Sequence, residues 1–109
     1  MNDLILTTHE GSDATTITVA GEMDLTSCPA LEEAIVQASL ADSAPLYLDM
    51  SQVTFMDSSG LNLLLQQRLR LADGGNRLVL TGVQEGTMRV LTLTGADALF
   101  LPAGTLARG

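Results

Sequence analysis

Apolar and β-branched residues dominate two short segments in the first part of the chain. Residues 4–8 (Leu-Ile-Leu-Thr-Thr) and 15–19 (Thr-Thr-Ile-Thr-Val) are rich in the residue types that favour strands. The polar residues 10–13 (Glu-Gly-Ser-Asp) between them are typical of a turn. The pattern therefore predicts an antiparallel β-hairpin.

A helical spacing of apolar residues follows Gly21. Ser27 is a capping residue type and Pro29 suits the first turn of a helix, which we expect to end near Leu40. The apolar positions of this first helix are Leu31, Ile35 and Ala38. Their spacing of three to four residues predicts that they form its buried face.

The clearest helical pattern begins at Ser58 or Ser59 and stops at Gly74-Gly75. The apolar face expected to be buried comprises Leu61, Leu64, Leu65, Leu69 and Ala72, whereas Gln66, Gln67, Arg68 and Arg70 are expected mostly on the other face. A third, weaker helix is predicted over residues 84–94, closed by Gly95.

Short, nearly continuous apolar runs separate these helices. Residues 46–48 (Leu-Tyr-Leu) and 78–80 (Leu-Val-Leu) are typical of strands buried inside a sheet, and we place residues 46–48 at its centre. Residues 99–101 (Leu-Phe-Leu) could add a last short strand.

The resulting order is β-β-α-β-α-β-α-β. A hairpin followed by alternating helices and buried strands predicts an α/β fold with a mixed sheet of four to five strands, right-handed crossovers and helices packed on the sheet. We expect one domain over residues 1–109, with residues 103–109 as a loose C-terminal tail.

The acidic composition restricts the range of partners. Thirteen Asp and Glu residues against five Lys and Arg residues give a formal net charge of −8, which disfavours binding to nucleic acid or directly to an anionic membrane. Cys28 is the single cysteine, so an intrachain disulfide is impossible. The first residues lack the features of a secretion signal, and no apolar run is long enough to span a bilayer. These features predict a cytoplasmic protein.

The chemistry of the chain is concentrated in residues 55–61 (Phe-Met-Asp-Ser-Ser-Gly-Leu), where the second long helix begins. The first turn of a helix has unpaired backbone N–H groups and favours negative charge, so a serine there can either cap the helix or carry a phosphoryl group. Asp57 lies beside the serines, and Asp24 stands in the earlier segment 21–25 (Gly-Glu-Met-Asp-Leu).

Enzyme chemistry finds less support in the sequence. His9, the single histidine, is distant in sequence from Ser58, and neither a Gly-x-Ser-x-Gly elbow nor a phosphate-binding loop is present. One histidine and one cysteine are too few for a typical zinc site. Asp24 and Asp57 could together bind a hard cation, but aspartates at the borders of turns more often act as caps. We therefore expect no catalytic residue, no metal and no cofactor.

Three segments carry a resemblance to a known family. Residues 21–25, 48–53 (Leu-Asp-Met-Ser-Gln-Val) and 55–61 resemble, in order and spacing, the motifs of bacterial anti-sigma factor antagonists built from a single STAS domain. The Asp-Ser-Ser-Gly-Leu segment is the specific part of the match, which extends over essentially the whole chain. Asn62 departs from the family, since relatives often carry a small residue there.

The resemblance implies a switch between partners. In that family, an anti-sigma factor that is also a serine kinase phosphorylates the serine after the aspartate, which is Ser58 here, with Ser59 as the less favoured alternative. The unphosphorylated protein binds the anti-sigma factor and frees the sigma factor, and a phosphatase reverses the modification. The residues expected to contact the partner are Asp24, Met56, Asp57, Ser58, Ser59, Gly60 and Leu61.

Several alternatives stay open at this point. STAS domains also serve as adaptor subunits of lipid ABC-type transport complexes or as regulatory parts of anion transporters, where phosphorylation plays no part. Either serine can be a helix cap, and we favour Ser59 as the cap and Ser58 as the more exposed hydroxyl. Met56 and Leu61 can form an apolar rim for a partner or pack in the core, while Gly60 suits a close backbone approach.

Overall fold

The computed structural model describes residues 4–11, 13–41 and 45–100. The strands are β1 (Ile5–Glu10), β2 (Thr15–Met23), β3 (Leu46–Met56) and β4 (Leu78–Thr81), and the helices are α1 (Cys28–Ala41), α2 (Ser58–Asp73), α3 (Glu85–Thr94) and α4 (Asp97–Phe100). The predicted order is confirmed up to its third helix. The predicted tail, residues 103–109, lies outside the described residues.

The last predicted strand is wrong. Gly95 closes α3 in the left-handed conformation, at φ 76°, as predicted. A short helix, α4, follows at once and covers Leu99 and Phe100, while Leu101 lies outside the described residues. Phe100 is buried at 2% exposure, so its apolar side chain fills the core from a helix rather than from a strand. A short apolar run does not distinguish these two structures.

The four strands form a mixed sheet in the order β1-β2-β3-β4. The pair β1 and β2 is antiparallel, which confirms the predicted hairpin, and β3 is parallel to both of its neighbours, β2 and β4. β3 lies inside the sheet, as predicted for residues 46–48. It extends through Met56, whereas β4 pairs only with residues 46–49 of it.

One face of the sheet carries the core. Leu48 pairs with Ile17 on one side and Leu80 on the other, and all three side chains are buried. The alternate positions, such as Thr18 and Tyr47, lie on the opposite face and are partly exposed. The helices contribute their buried side chains to the same core as the first face, so the domain has two layers.

The buried face of α2 differs in part from the predicted one. Leu61 and Leu64 are buried as expected, but Leu69 is 60% exposed and Ala72 is also exposed. Gln67, expected on the polar face, is instead 4% exposed, and its side-chain oxygen accepts a hydrogen bond from Nε of Arg70 at 2.8 Å. The buried stripe consists of Gly60, Leu61, Leu63, Leu64, Gln67 and Leu71.

The ends of β2 and β3 determine where the candidate site lies. These parallel strands finish side by side, with Met23 paired to Met56, and the N–H of Asp57 donates to the Met23 carbonyl at 3.2 Å. The segments that lead into α1 and α2 therefore leave the sheet at the same edge. The carboxyl edge of parallel strands is the usual place for a binding site in such sheets.

Candidate functional site

Asp57 caps helix α2. Its side-chain oxygen Oδ1 accepts hydrogen bonds from the backbone N–H of Ser59 at 2.9 Å and of Gly60 at 3.4 Å. Its backbone is extended, at φ −105° and ψ −169°, as is usual for a residue just before a helix. The expectation that Ser59 is the cap is therefore wrong, because the carboxylate already occupies the N–H groups that a cap would bind.

The two serines are the first residues of α2 and differ in exposure. Ser58 is exposed, and its hydroxyl makes no hydrogen bond to any residue that the structure describes. Ser59 is half-buried and faces a groove toward α1. The predicted distinction is confirmed on this point, since Ser58 is the more exposed hydroxyl.

Gly60 brings α2 close to the ends of both strands. A Cβ atom at this position would lie 2.6 Å from Cγ of Met56, 3.1 Å from Cβ of Met23 and 3.3 Å from the Met23 carbonyl oxygen. No side chain fits there without displacing its neighbours. This confirms the predicted close approach at Gly60.

The sequence leaves Met56 and Leu61 open between an apolar rim for a partner and the core, and the structure places both in the core, with 4% and 8% exposure. Two apolar side chains that the sequence analysis did not select are exposed nearby in the chain: Leu25 at 77% and Phe55 at 48%. Leu25 immediately follows Asp24, so an apolar residue inside an otherwise polar turn was the available signal. Phe55 carried no distinguishing signal in its strand.

Asp24 organises the loop that leads into α1. Its Oδ1 accepts from the N–H of Thr26 at 3.0 Å and of Ser27 at 2.9 Å. The Ser27 hydroxyl donates to the Glu22 carbonyl at 2.6 Å and accepts from the N–H of Asp24 at 3.0 Å. The Ser27 side chain thus stabilises the loop through these hydrogen bonds. The expectation that it caps α1 is wrong, because its hydroxyl binds Glu22 and Asp24 instead.

Cys28 connects the two loops electrostatically. It is the first residue of α1 and is 7% exposed. Burial raises the pKa of the Cys28 thiol, and the carboxylates of Asp57 and then Asp24 raise it further. Cys28 at the start of α1 and Ser59 at the start of α2 line one groove, so the N-termini of the two helices converge, and the two carboxylates make the site acidic.

A groove of about 270 Å³ runs between these two helix starts. Its lining residues are Leu25, Cys28, Pro29, Glu32, Ser59, Asn62, Leu63 and Gln66. Asn62, the position that departs from the family, is exposed in this lining. The site thus combines an exposed hydroxyl, two carboxylates and a shallow, partly apolar groove.

The site lacks the neighbours that catalysis or metal binding would need. His9 is paired with Thr16, near the start of β2, whereas Ser58 follows the strand end at Met23 and Met56, which places them about 20 Å apart along the strand direction. In the described ranges, His, Cys, Asp and Glu side chains do not gather in a group of three or more that could hold a metal ion.

No helix in residues 4–11, 13–41 and 45–100 combines the length and apolar character needed to cross a lipid bilayer.

Comparison with known proteins gives consistent matches. Residues 6–102 match the family model described as Mlab, STAS domain. The anti-sigma-B factor antagonist of Listeria monocytogenes is 30% identical over 95 residues, which cover 87% of this chain and 83% of that protein. The matches span nearly the full length of both proteins.

Solved structures confirm the predicted fold. The crystal structure of an anti-sigma factor antagonist from Mycobacterium paratuberculosis has a TM-score of 0.75 and 33% identity, covering 93% of this chain and 86% of the other. The anti-sigma factor antagonist SpoIIAA in its unphosphorylated form has a TM-score of 0.76, covering 94% and 92%. At 19% identity, the second likeness concerns the fold alone.

Proposed function

The chain belongs to the STAS domain family, among the anti-sigma factor antagonists, and we propose that it binds an anti-sigma factor that is also a serine kinase. Binding to the anti-sigma factor releases a sigma factor, and phosphorylation of Ser58 ends this binding. In this proposal the protein is a regulatory ligand and a kinase substrate rather than an enzyme. It acts in the cytoplasm, and a phosphatase returns it to the unphosphorylated, binding-competent form.

The observation that carries the proposal is the exposed hydroxyl of Ser58 at the first position of α2. Asp57 already caps the helix, so the hydroxyl of Ser58 has no structural task. A kinase can therefore reach and modify it without unfolding the domain. Ser59, half-buried beside the groove, is a poorer acceptor on the same grounds.

The proposed partner surface surrounds this hydroxyl. Leu25 offers an exposed apolar side chain next to the groove, and the carboxylates of Asp24 and Asp57 offer acceptors for basic or amide groups. Met56, Gly60 and Leu61 are buried under this surface and contribute to it indirectly, because their packing sets the position of α2 against the strand ends.

The proposed modification is a simple group transfer. The Ser58 oxygen attacks the γ-phosphorus of ATP, the bond from that phosphorus to the oxygen bridging to ADP breaks, and the hydroxyl proton passes to a base of the kinase. The product carries about −1.5 to −2 additional charge beside Asp57. At a closely docked interface this added charge raises both repulsion and desolvation cost, which favours release.

The test is phosphoryl transfer from Mg-ATP by a purified candidate anti-sigma kinase, followed by intact-mass and phosphopeptide analysis. We expect one phosphoryl group on Ser58 in the wild type and none on that position in Ser58→Ala. Ser59→Ala is the matched control and should be modified like the wild type. Tight binding without any transfer would contradict the switch and favour a transport-complex adaptor.

A further inference from the structure

We propose that Asp57 is a positioning residue that keeps a phosphoryl group on Ser58 away from the N-terminus of α2, so that the added charge faces the partner. The inference deepens the proposed function and rests on Ser58 being the acceptor. It assigns to Asp57 a role beyond adding one negative charge to the site.

The argument begins with the N–H groups that an anion would need. A phosphate at a helix N-terminus is normally held by the free backbone N–H groups of the first turn. In α2 the carboxylate of Asp57 already binds two of them, on Ser59 and Gly60. The helix therefore starts with its own anion in place, one residue before the acceptor.

Exchanging that carboxylate for the dianionic phosphoryl group is unfavourable, because neighbouring acidic groups repel the dianion more strongly and the first turn of α2 is tightly packed. Asp24 lies on the neighbouring loop, both carboxylates act on the buried Cys28, and Glu32 lines the same groove. Gly60 holds the first turn against the strand ends, so the turn has little freedom to rotate toward a new ligand. A displaced Asp57 would stay close to the phosphoryl group and to Asp24.

The consequence concerns where the new charge is felt. If the helix N–H groups bound the phosphoryl group, they would neutralise part of its charge within the domain. With Asp57 in their place, the phosphoryl group remains in solvent, next to a second negative group. A partner docked over Ser58 meets both charges.

The experiment compares three proteins with phosphoserine installed at position 58 during translation: the wild type, Asp57→Asn and Asp57→Gly. Asparagine caps a helix as well as aspartate but is neutral, and glycine at a cap costs only a few tenths of a kcal/mol while removing the side-chain acceptor. Thermal unfolding first establishes that all three are folded. The ³¹P resonance and the amide protons of Ser59 and Gly60 are then followed between pH 4 and pH 9.

We expect the midpoint of the ³¹P titration to be highest in the wild type and lower by about half a pH unit in Asp57→Asn, because the adjacent charge is gone. It should fall further in Asp57→Gly, since the freed N–H groups then bind the dianion. The amide protons of Ser59 and Gly60 should follow the phosphate titration in Asp57→Gly only. The other acidic groups near the site, Glu22, Asp24, Cys28 and Glu32, are present in all three proteins, so the three differ in sequence at position 57 alone.

Equal midpoints in Asp57→Asn and Asp57→Gly would overturn the inference, as would Ser59 and Gly60 amides that already follow the phosphate in the wild type. Because the phosphoserine is installed without a kinase, this result is independent of the transfer assay. Failure of the proposed function would appear instead as a kinase that leaves Ser58 unmodified.

Discussion

The N-termini of α1 and α2 lie side by side at the carboxyl edge of the sheet, and they use the same residue types differently. Each follows a parallel strand, and each is preceded by an aspartate whose Oδ1 accepts two backbone N–H groups. Before α1, the Ser27 hydroxyl is 4% exposed and hydrogen-bonded on both sides. At the start of α2, the Ser58 hydroxyl is exposed.

The third residue of each helix shows the opposite contrast. In α1 it is Ala30, which is exposed, whereas in α2 it is Gly60, which is buried against the ends of β2 and β3. The first turn of α2 is thus pressed onto the sheet and presents its serine outward. A serine beside an aspartate is therefore a candidate acceptor when its hydroxyl has no hydrogen-bond partner among the described residues and the backbone beneath it is fixed.

The largest expected effect concerns the exposed serine. Ser58→Asp places a carboxylate beside Asp57, and we expect it to weaken binding of the anti-sigma factor more than about a hundredfold, or by about 3 kcal/mol. Isothermal titration calorimetry measures this, with Ser58→Ala as the control that should bind like the wild type. Wild-type affinity in Ser58→Asp would refute the electrostatic switch.

The second prediction concerns the buried serine before α1. Ser27→Ala removes the hydrogen bonds of the hydroxyl with the Glu22 carbonyl and with the backbone of Asp24, and we expect it to lower the free energy of unfolding by about 2 kcal/mol. Urea unfolding measures the loss, and Ser58→Ala should change stability by less than about 0.5 kcal/mol. Similar losses of stability in the two variants would show that the Ser27 hydroxyl is not more important for folding than the Ser58 hydroxyl, which would contradict the prediction.

The third prediction tests the fixed backbone beneath Ser58. Gly60→Ala forces Met56 or Met23 to move, and we expect a net destabilisation of about 1–2 kcal/mol despite the better helix propensity of alanine. Gly86→Ala, in the first turn of α3 with no atom within 4 Å of the added Cβ, is the matched control and should stabilise by up to about 1 kcal/mol. A gain in both variants would mean that α2 can shift freely on the strand ends.

The smallest expected effect is on the thiol between the two loops. Its pKa is raised by burial and by both carboxylates, so the protonated form is favoured in the folded state, and the stability this confers is lost as the pH rises through the raised pKa. We expect the pH midpoint of Cys28 alkylation to fall in Asp57→Asn and in Asp24→Asn. An unchanged midpoint in Asp57→Asn would argue against the convergence of the two loops at Cys28.

Much of the fold could be predicted from local signals. The hairpin follows from two segments rich in apolar and β-branched residues around a polar turn, the parallel strands from short buried runs, and the ends of α2 and α3 from glycines. The structure of residues 99–100 and the burial of Gln67 could not be predicted, because they depend on which gaps the other elements leave. In Gln67 the deciding factor is Arg70, which satisfies the buried amide oxygen.

The position of the site could be predicted better than its details. Asp57, Ser58 and Ser59 are all capping residue types, so the sequence does not determine which of them caps α2. In the structure β3 ends at Met56, paired with Met23, and the next residue, Asp57, is the cap. Apolar residues beside the serines were equally ambiguous. Their burial depends on strand twist and register, which local periodicity does not determine.

The isolation of the Ser58 side chain from the fold has an evolutionary consequence. Because its hydroxyl supports neither the helix cap nor the core, selection for stability places little constraint on this position, and a single codon change can remove or restore the proposed acceptor in a domain that still folds. The proposed regulation can therefore be lost and regained in a lineage without rebuilding the scaffold.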